Sequence, residues 1–360
     1  MAAASNTPII NLETSIGNIK LNSPFLNASG CYCTTHNELE ELNASSSGAF
    51  ITKTMTNMPR EGNPEPRYFH NDTLSVNSMG LPNMGYSSYV EYGLNYKHTR
   101  QKPLLFSISP MSITDTKNMI SQLAIIHNDI DLKGIEFNIS CPNIIGKGQM
   151  GYDMKQLDDF LNMISTSPLN DISRNDLAIG LKMSPYFDKH QFYDTADILS
   201  KYPRLDFITC INGIGHGLVI DPVKEESVIR PNGGCGGLGG SIVKPIGLSN
   251  VKMFKSILGH KLDIIGCGGV SSGVDAFEYI LAGASAVSVG TQLVKETPHV
   301  FDRLNGELIQ IMKGKSYTQL TQFKNKINIS QNPLPSLIPP NTSYYDDNDY
   351  DPHKFSLTMC

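Results

Sequence analysis

Eight short apolar runs, each stopped by a polar residue, a glycine or a proline, constrain the fold of this chain most. They are Pro24–Asn27, Ala49–Lys53, Pro103–Ser109, Ile135–Ser140, Ala178–Lys182, Phe207–Asn212, Asp263–Gly266 and Ala286–Gly290. Apolar runs this short, bounded by turn residues, suit strands buried on both faces. Stretches with helical character separate many of them, at 115–128, 153–166, 189–201, 249–258, 273–282 and 300–313. Strand and helix in alternation predict an α/β fold with a closed parallel barrel, the (β/α)8 or TIM barrel. An open doubly wound sheet is the alternative, but its Gly-x-Gly-x-x-Gly turn after the first strand is missing. Residues 9–22 alternate around Ile16-Gly17-Asn18 and predict an N-terminal hairpin.

A barrel of this kind takes about 250 residues or more as one domain. The 360-residue chain therefore reads as one barrel domain over 1–330. Residues 331–360, rich in Pro, Asn, Asp and Tyr without a period, read as a flexible tail. A net charge of -5 with 18% charged residues excludes a nucleic-acid or membrane-surface partner as the expectation. The start, MAAASNTPII, has neither a basic segment nor an apolar core, so no secretory signal is expected. No window reaches the roughly 20 apolar residues of a membrane span. The seven cysteines are odd in number and scattered, which suits reduced thiols and a cytoplasmic protein. Cys31 and Cys33 have no second pair at ligand spacing, so no metal is expected.

In a barrel the strand ends converge on one mouth. Lys53, Asn138, Cys141, Asn143, Lys182 and Asn212 all stand at or just past such ends. A lysine among apolar neighbours is costly to bury unless an anion receives it. Two of them imply an anionic ligand. In GIEFNISCPN, strand alternation sends Asn138 and Ser140 to one face, and Pro142 ends the strand beside Cys141. Gly268 and Gly269 end the seventh run, and Gly290 with Thr291 ends the eighth. Backbone N–H groups without a Cβ there suit a phosphate, and these two ends are the usual phosphate site of a barrel. The connections 54–102 and 213–248 are too long for simple turns and are expected to rise over the mouth as functional loops.

The motifs extend further. NASG at 27–30, ITK at 51–53, REGNPEPRY at 60–68, NSMGLPN at 77–83 and NISCPN at 138–143 appear in that order. GLKMSPYFD at 180–188, GLVIDP at 217–222, GGLGG at 236–240, IIGCGGV at 264–270 and VGT at 289–291 follow. Together, from about residue 8 to 327, they resemble the dihydroorotate dehydrogenase family. The thiol at 141 resembles class 1, and REGNPEPRY resembles its fumarate-using subclass, class 1A.

The resemblance implies bound FMN, contacted by Ala28, Ser29, Lys53, Asn138, Lys182, Ile211, Gly239, Gly240, Gly268, Gly269, Gly290 and Thr291. It implies dihydroorotate met by Lys53, Asn77, Met79, Gly80, Leu81, Asn138, Asn143 and Asn212, with fumarate as acceptor. Cys141 matches the catalytic base, and Lys53 is counted with it as catalytic. Lys182 is implied to stabilise negative charge at the flavin edge. The loop 141–152, with glycines at 146, 148 and 151, is the implied lid, and a homodimer is the implied assembly. The family has Ser after the sixth-strand Asn; here Gly213 stands there, followed by His216 in the loop. That departure keeps open a related flavoenzyme for another reduced pyrimidine. A class 1B-type subunit passing electrons to an iron–sulfur partner is the other alternative.

Overall fold

The computed structural model describes residues 9–143, 146 and 148–328. The eight expected runs form strands β1 (Phe25–Asn27), β2 (Phe50–Ile51), β3 (Leu104–Ile108), β4 (Leu132–Asn138), β5 (Ala178–Lys182), β6 (Phe207–Cys210), β7 (Asp263–Cys267) and β8 (Ala286–Val289). Their order in the sheet is β1-β8-β7-β6-β5-β4-β3-β2, and every ladder is parallel. The six expected helices are present; one of them, expected at 249–258, extends over Lys244–Leu258.

The last seam, between β1 and β2, closes by a side chain. Gly48 N donates to Phe25 O at 2.8 Å and Thr54 N to Ser29 O at 3.0 Å. Between them the fully buried Asn27 stands in for a strand backbone. Its Oδ1 accepts from Ile51 N at 2.9 Å and its Nδ2 donates to Ile51 O at 2.8 Å. The sheet thus has no open edge at this seam.

The hairpin Thr14–Ile16 and Ile19–Leu21 forms as expected. Its Ile16, Ile19 and Leu21 pack with Leu26, Ile51, Leu105, Phe207 and Ile265 at the bottom of the barrel. Gly17 N donates to Asp263 Oδ2 at 2.9 Å and Thr14 Oγ1 to Ser285 O at 2.7 Å, which fixes this plug. Burial of each large apolar side chain contributes about 1.5–3 kcal/mol. The apolar layer sits at the closed end, so polar side chains are left for the mouth.

The two long connections carry more structure than the sequence suggests. They pair into a four-stranded antiparallel sheet, ordered Ile214–Leu218, Cys235–Gly239, Ser75–Asn77, Tyr68–His70. Helix Tyr86–Asn95 lies in the first connection. The strand CGGLG was hidden because glycine is depleted in strands. Here it permits close approach: a Cβ on Gly236 would lie 2.3 Å from Asn77 O. Helix His36–Ala44 was hidden by its polar composition, although Thr35 and Glu38 form a capping box at its start. The described residues up to Lys326 belong to one compact unit, and the expected tail at 331–360 lies outside the described residues.

Candidate active site

All strands but β3 contribute to a cavity of about 450 Å³ at the C-terminal mouth. Ala28 and Ser29 follow β1, Lys53 follows β2, and Asn138 with Cys141 and Asn143 ends β4. Lys182 ends β5, Ile211 and Asn212 follow β6, Gly268 and Gly269 follow β7, and Gly290 and Thr291 follow β8. The inserted sheet and its flanks add Asn77, Met79, Leu81, Gly239 and Gly240. Of the expected site residues, Gly80 is not in the wall. It lies behind it, where its carbonyl accepts from Arg60 Nε at 3.4 Å and Nη2 at 3.3 Å.

The amides are tied together. Asn138 Oδ1 accepts from Ser140 N at 3.3 Å, Ser140 Oγ at 3.2 Å and Asn212 Nδ2 at 3.2 Å. Its Nδ2 donates to Thr54 Oγ1 at 3.1 Å, so both ends of the amide are specified. Asn143 Nδ2 donates to Asn77 Oδ1 at 2.8 Å, and Asn77 Nδ2 to Gly237 O at 3.3 Å. Asn143 Oδ1 is buried and has no partner among the described residues. Such an acceptor costs about 1–3 kcal/mol unless a donor reaches it.

The two lysines differ. Lys53 Nζ donates to Gly30 O. Lys182 is buried, and among the described residues nothing accepts a hydrogen bond from its Nζ. Burial works against its charge, but Cys267, Glu136, Cys31 and Cys210 oppose that, and its pKa is raised. The ammonium is therefore held charged in the wall.

Cys141 stands at the cavity's edge, partly exposed but crowded. Burial pushes its thiol above the ordinary value, while the Asn143 backbone N–H, Lys53 and Arg60 work to lower it. The net direction is upward. The thiol is thus the resting form, and its pKa is not drawn down towards neutrality.

The segment after Cys141 is anchored at its far end. Gly151 N donates to Ile139 O at 3.0 Å, Tyr186 Oη to Gly151 O at 2.5 Å and Tyr152 Oη to Pro185 O at 2.7 Å. Ser184 Oγ donates to Gln149 Oε1 at 2.8 Å. Gly151 is a packing glycine, since a Cβ there would lie 2.7 Å from Ser184 Oγ. Gly146 and Gly148 have open space instead. Residues 144, 145 and 147 of the expected lid lie outside the described residues.

At the opposite end, Gly240 (φ +84°) and Gly269 (φ +70°) pack backbone to backbone. A Cβ on Gly269 would lie 2.9 Å from Gly240 O and 3.0 Å from Lys244 N, so side chains are excluded there. A lysine ammonium in the cavity wall and an amide oxygen, both without a hydrogen-bond partner among the described residues, together with glycine-lined strand ends fit a planar anionic group bearing a phosphate.

Sequence reasoning missed the layer just beneath. Glu136 of β4 is buried and accepts from Ser29 Oγ at 2.9 Å, Ser107 Oγ at 3.3 Å and Thr209 Oγ1 at 2.7 Å. Thr54 Oγ1 lies 2.9 Å from Ser107 Oγ and links this layer to Asn138. The signal was present: Glu136 precedes Asn138 by two residues and so shares its inward face.

The molecule is thus a (β/α)8 barrel whose mouth is built around charge and amide recognition. Residues 11–312 match the family model for dihydroorotate dehydrogenase. The chain is 44% identical over 307 residues to "Dihydroorotate dehydrogenase (fumarate)" of Trypanosoma cruzi, covering 85% of this chain and 94% of that protein. It is 43% identical over 322 residues to "Dihydroorotate dehydrogenase A (fumarate)" of Lactococcus lactis subsp. cremoris, covering 88% and 99%. A ligand-free Eimeria tenella DHODH crystal structure shares the fold with a TM-score of 0.72 at 20% identity, covering 91% of this chain and 94% of that one. The chain belongs to the dihydroorotate dehydrogenase family. That family is flavin-dependent. No helix among the described residues is long and apolar enough to cross a membrane.

Proposed function

We propose that this protein oxidises dihydroorotate to orotate with bound FMN and fumarate as acceptor, in pyrimidine biosynthesis. The observation that carries the proposal is the meeting of Cys141, Lys53, Lys182 and Asn138, Asn143 and Asn212 on one cavity, from four strand ends. Relatives named for the fumarate reaction, at 42–44% identity, support the acceptor.

Gly268, Gly269, Gly290 and Thr291 would hold the phosphate of FMN, and Lys182 with Asn138 its ring. When bound, FMN supplies a two-electron hydride acceptor and donor. Cys141 does the proton work. Dihydroorotate loses a hydride from one ring carbon and a proton from its neighbour; Cys141 Sγ, as thiolate, takes that proton and becomes a thiol. Fumarate needs one hydride and one proton to become succinate, and the thiol is the group placed to return the proton. Lys53 and the three amides fix the substrate carboxylate and ring amides, which sets the reacting carbons against Cys141.

The proposal includes a cytoplasmic homodimer. Exposed Leu218, Ile220 and Val223, at 53%, 58% and 91%, supply apolar surface on one arm. Sedimentation at micromolar concentration tests the dimer. Anaerobic addition of dihydroorotate, with flavin absorbance followed, tests the reaction.

A further inference from the structure

Lys182 and Glu136 lie on neighbouring strands and share a neighbour. In the β4–β5 ladder Glu136 pairs with Gly180, and Asn138 with Lys182. In the β5–β6 ladder Lys182 pairs with Thr209, whose hydroxyl donates to Glu136 at 2.7 Å. Glu136 is therefore one inward position below Lys182, clamped by hydroxyls from β6, from β3 and from the end of β1. Three hydroxyl donors stand in for water around the buried carboxyl group.

Four groups besides burial act electrostatically on Lys182. They are Cys267 of β7, Glu136 of β4, Cys31 after β1 and Cys210 of β6. Cys267, Cys31 and Cys210 are thiols, and burial pushes Cys31 up to about 11 and Cys210 higher still. Glu136 is the carboxylate in the set. Without an opposing charge, burial drives a lysine towards its neutral amine.

We propose that Glu136 is a positioning residue: its clamped carboxylate is the fixed counter-charge that keeps the Lys182 ammonium protonated in the cavity wall. The proposal rests on the flavin reading only for what that charge serves. A charged Lys182 stabilises negative charge arriving on the ligand beside it; a neutral amine does not.

The test needs no turnover. Competitive labelling of the full-length protein with acetic anhydride across pH, read by mass spectrometry at Lys182, gives the pH at which its amine becomes reactive. Glu136→Gln keeps the shape and an acceptor oxygen for the hydroxyls. The expected result is a labelling midpoint lower by about one unit or more, tenfold in reactive amine at a fixed pH below it. Glu136→Asp shifts it less, in the same direction. It also serves if the Gln variant does not fold. An unchanged midpoint in either folded variant overturns the proposal. If no variant or wild type carries flavin, the function proposed above fails while this test still reads.

Discussion

Asn212 Nδ2 donates to Asn138 Oδ1 at 3.2 Å across the barrel mouth, from a position 74 residues further along the chain. The bond joins the ends of β6 and β4, and Lys182 ends the strand between them. Two strand ends are thus tied together on either side of Lys182. The site's geometry is a property of the closed barrel, and it includes the side-chain seam at Asn27.

Cys141→Ala is expected to retain bound flavin and lose fast bleaching by dihydroorotate. General base catalysis is worth about 10²–10⁴-fold, and the loss should fall in that range. Stopped-flow absorbance under anaerobic conditions measures it; wild-type bleaching in this variant would remove Cys141 from the role.

The pH profile follows from the upward shift of Cys141. The base form is the thiolate, and a raised pKa makes it the minor form at neutral pH. The bleaching rate should therefore climb with pH through 7–9, approaching about tenfold per unit on the acid side of the thiol's pKa. A plateau reached below pH 8 would contradict the burial argument.

Lys182→Ala removes a buried charge from which nothing among the described residues accepts a hydrogen bond. Flavin reduction should slow by about 10²–10³-fold, or flavin retention should fall. Occupancy from the absorbance ratio and the bleaching rate are read together. Wild-type values for both would argue against the role.

Asn27→Ala opens the seam. It removes three buried hydrogen bonds, two with Ile51 and one to Ala28 O, and takes away the side-chain partners of Ile51 N and O. The cost should be about 2–4 kcal/mol in urea unfolding. A loss below about 0.5 kcal/mol would mean that the seam is closed by other contacts.

Gly236→Ala places a Cβ 2.3 Å from Asn77 O. The strand must shift, and Asn77 with it. The KM for dihydroorotate should rise several-fold while flavin stays bound, as overpacking costs about 1–3 kcal/mol locally. Steady-state kinetics with flavin occupancy checks it.

Much of this was legible in the sequence because barrel strands are continuous apolar runs, and each of the eight ended where a strand ends. The candidate site residues could be named because they sit at those ends. Gly80 is the exception: its neighbours Met79 and Leu81 line the cavity, whereas its own carbonyl accepts from Arg60. The inserted sheet was illegible because its central strand is glycine-rich, and those glycines are explained only by close approaches in the fold: Gly236 to Asn77, Gly237 to Pro142 and Gly239 to Ser75. Glu136 was overlooked because one carboxylate in an apolar run has meaning only once Ser29, Ser107 and Thr209 are brought around it.

The most direct test of the proposed function is one anaerobic titration of the purified protein. Dihydroorotate should bleach the flavin absorbance, and fumarate added afterwards should restore it with succinate formed in equal amount. Flavin that stays coloured with dihydroorotate, or stays bleached with fumarate, would contradict the account.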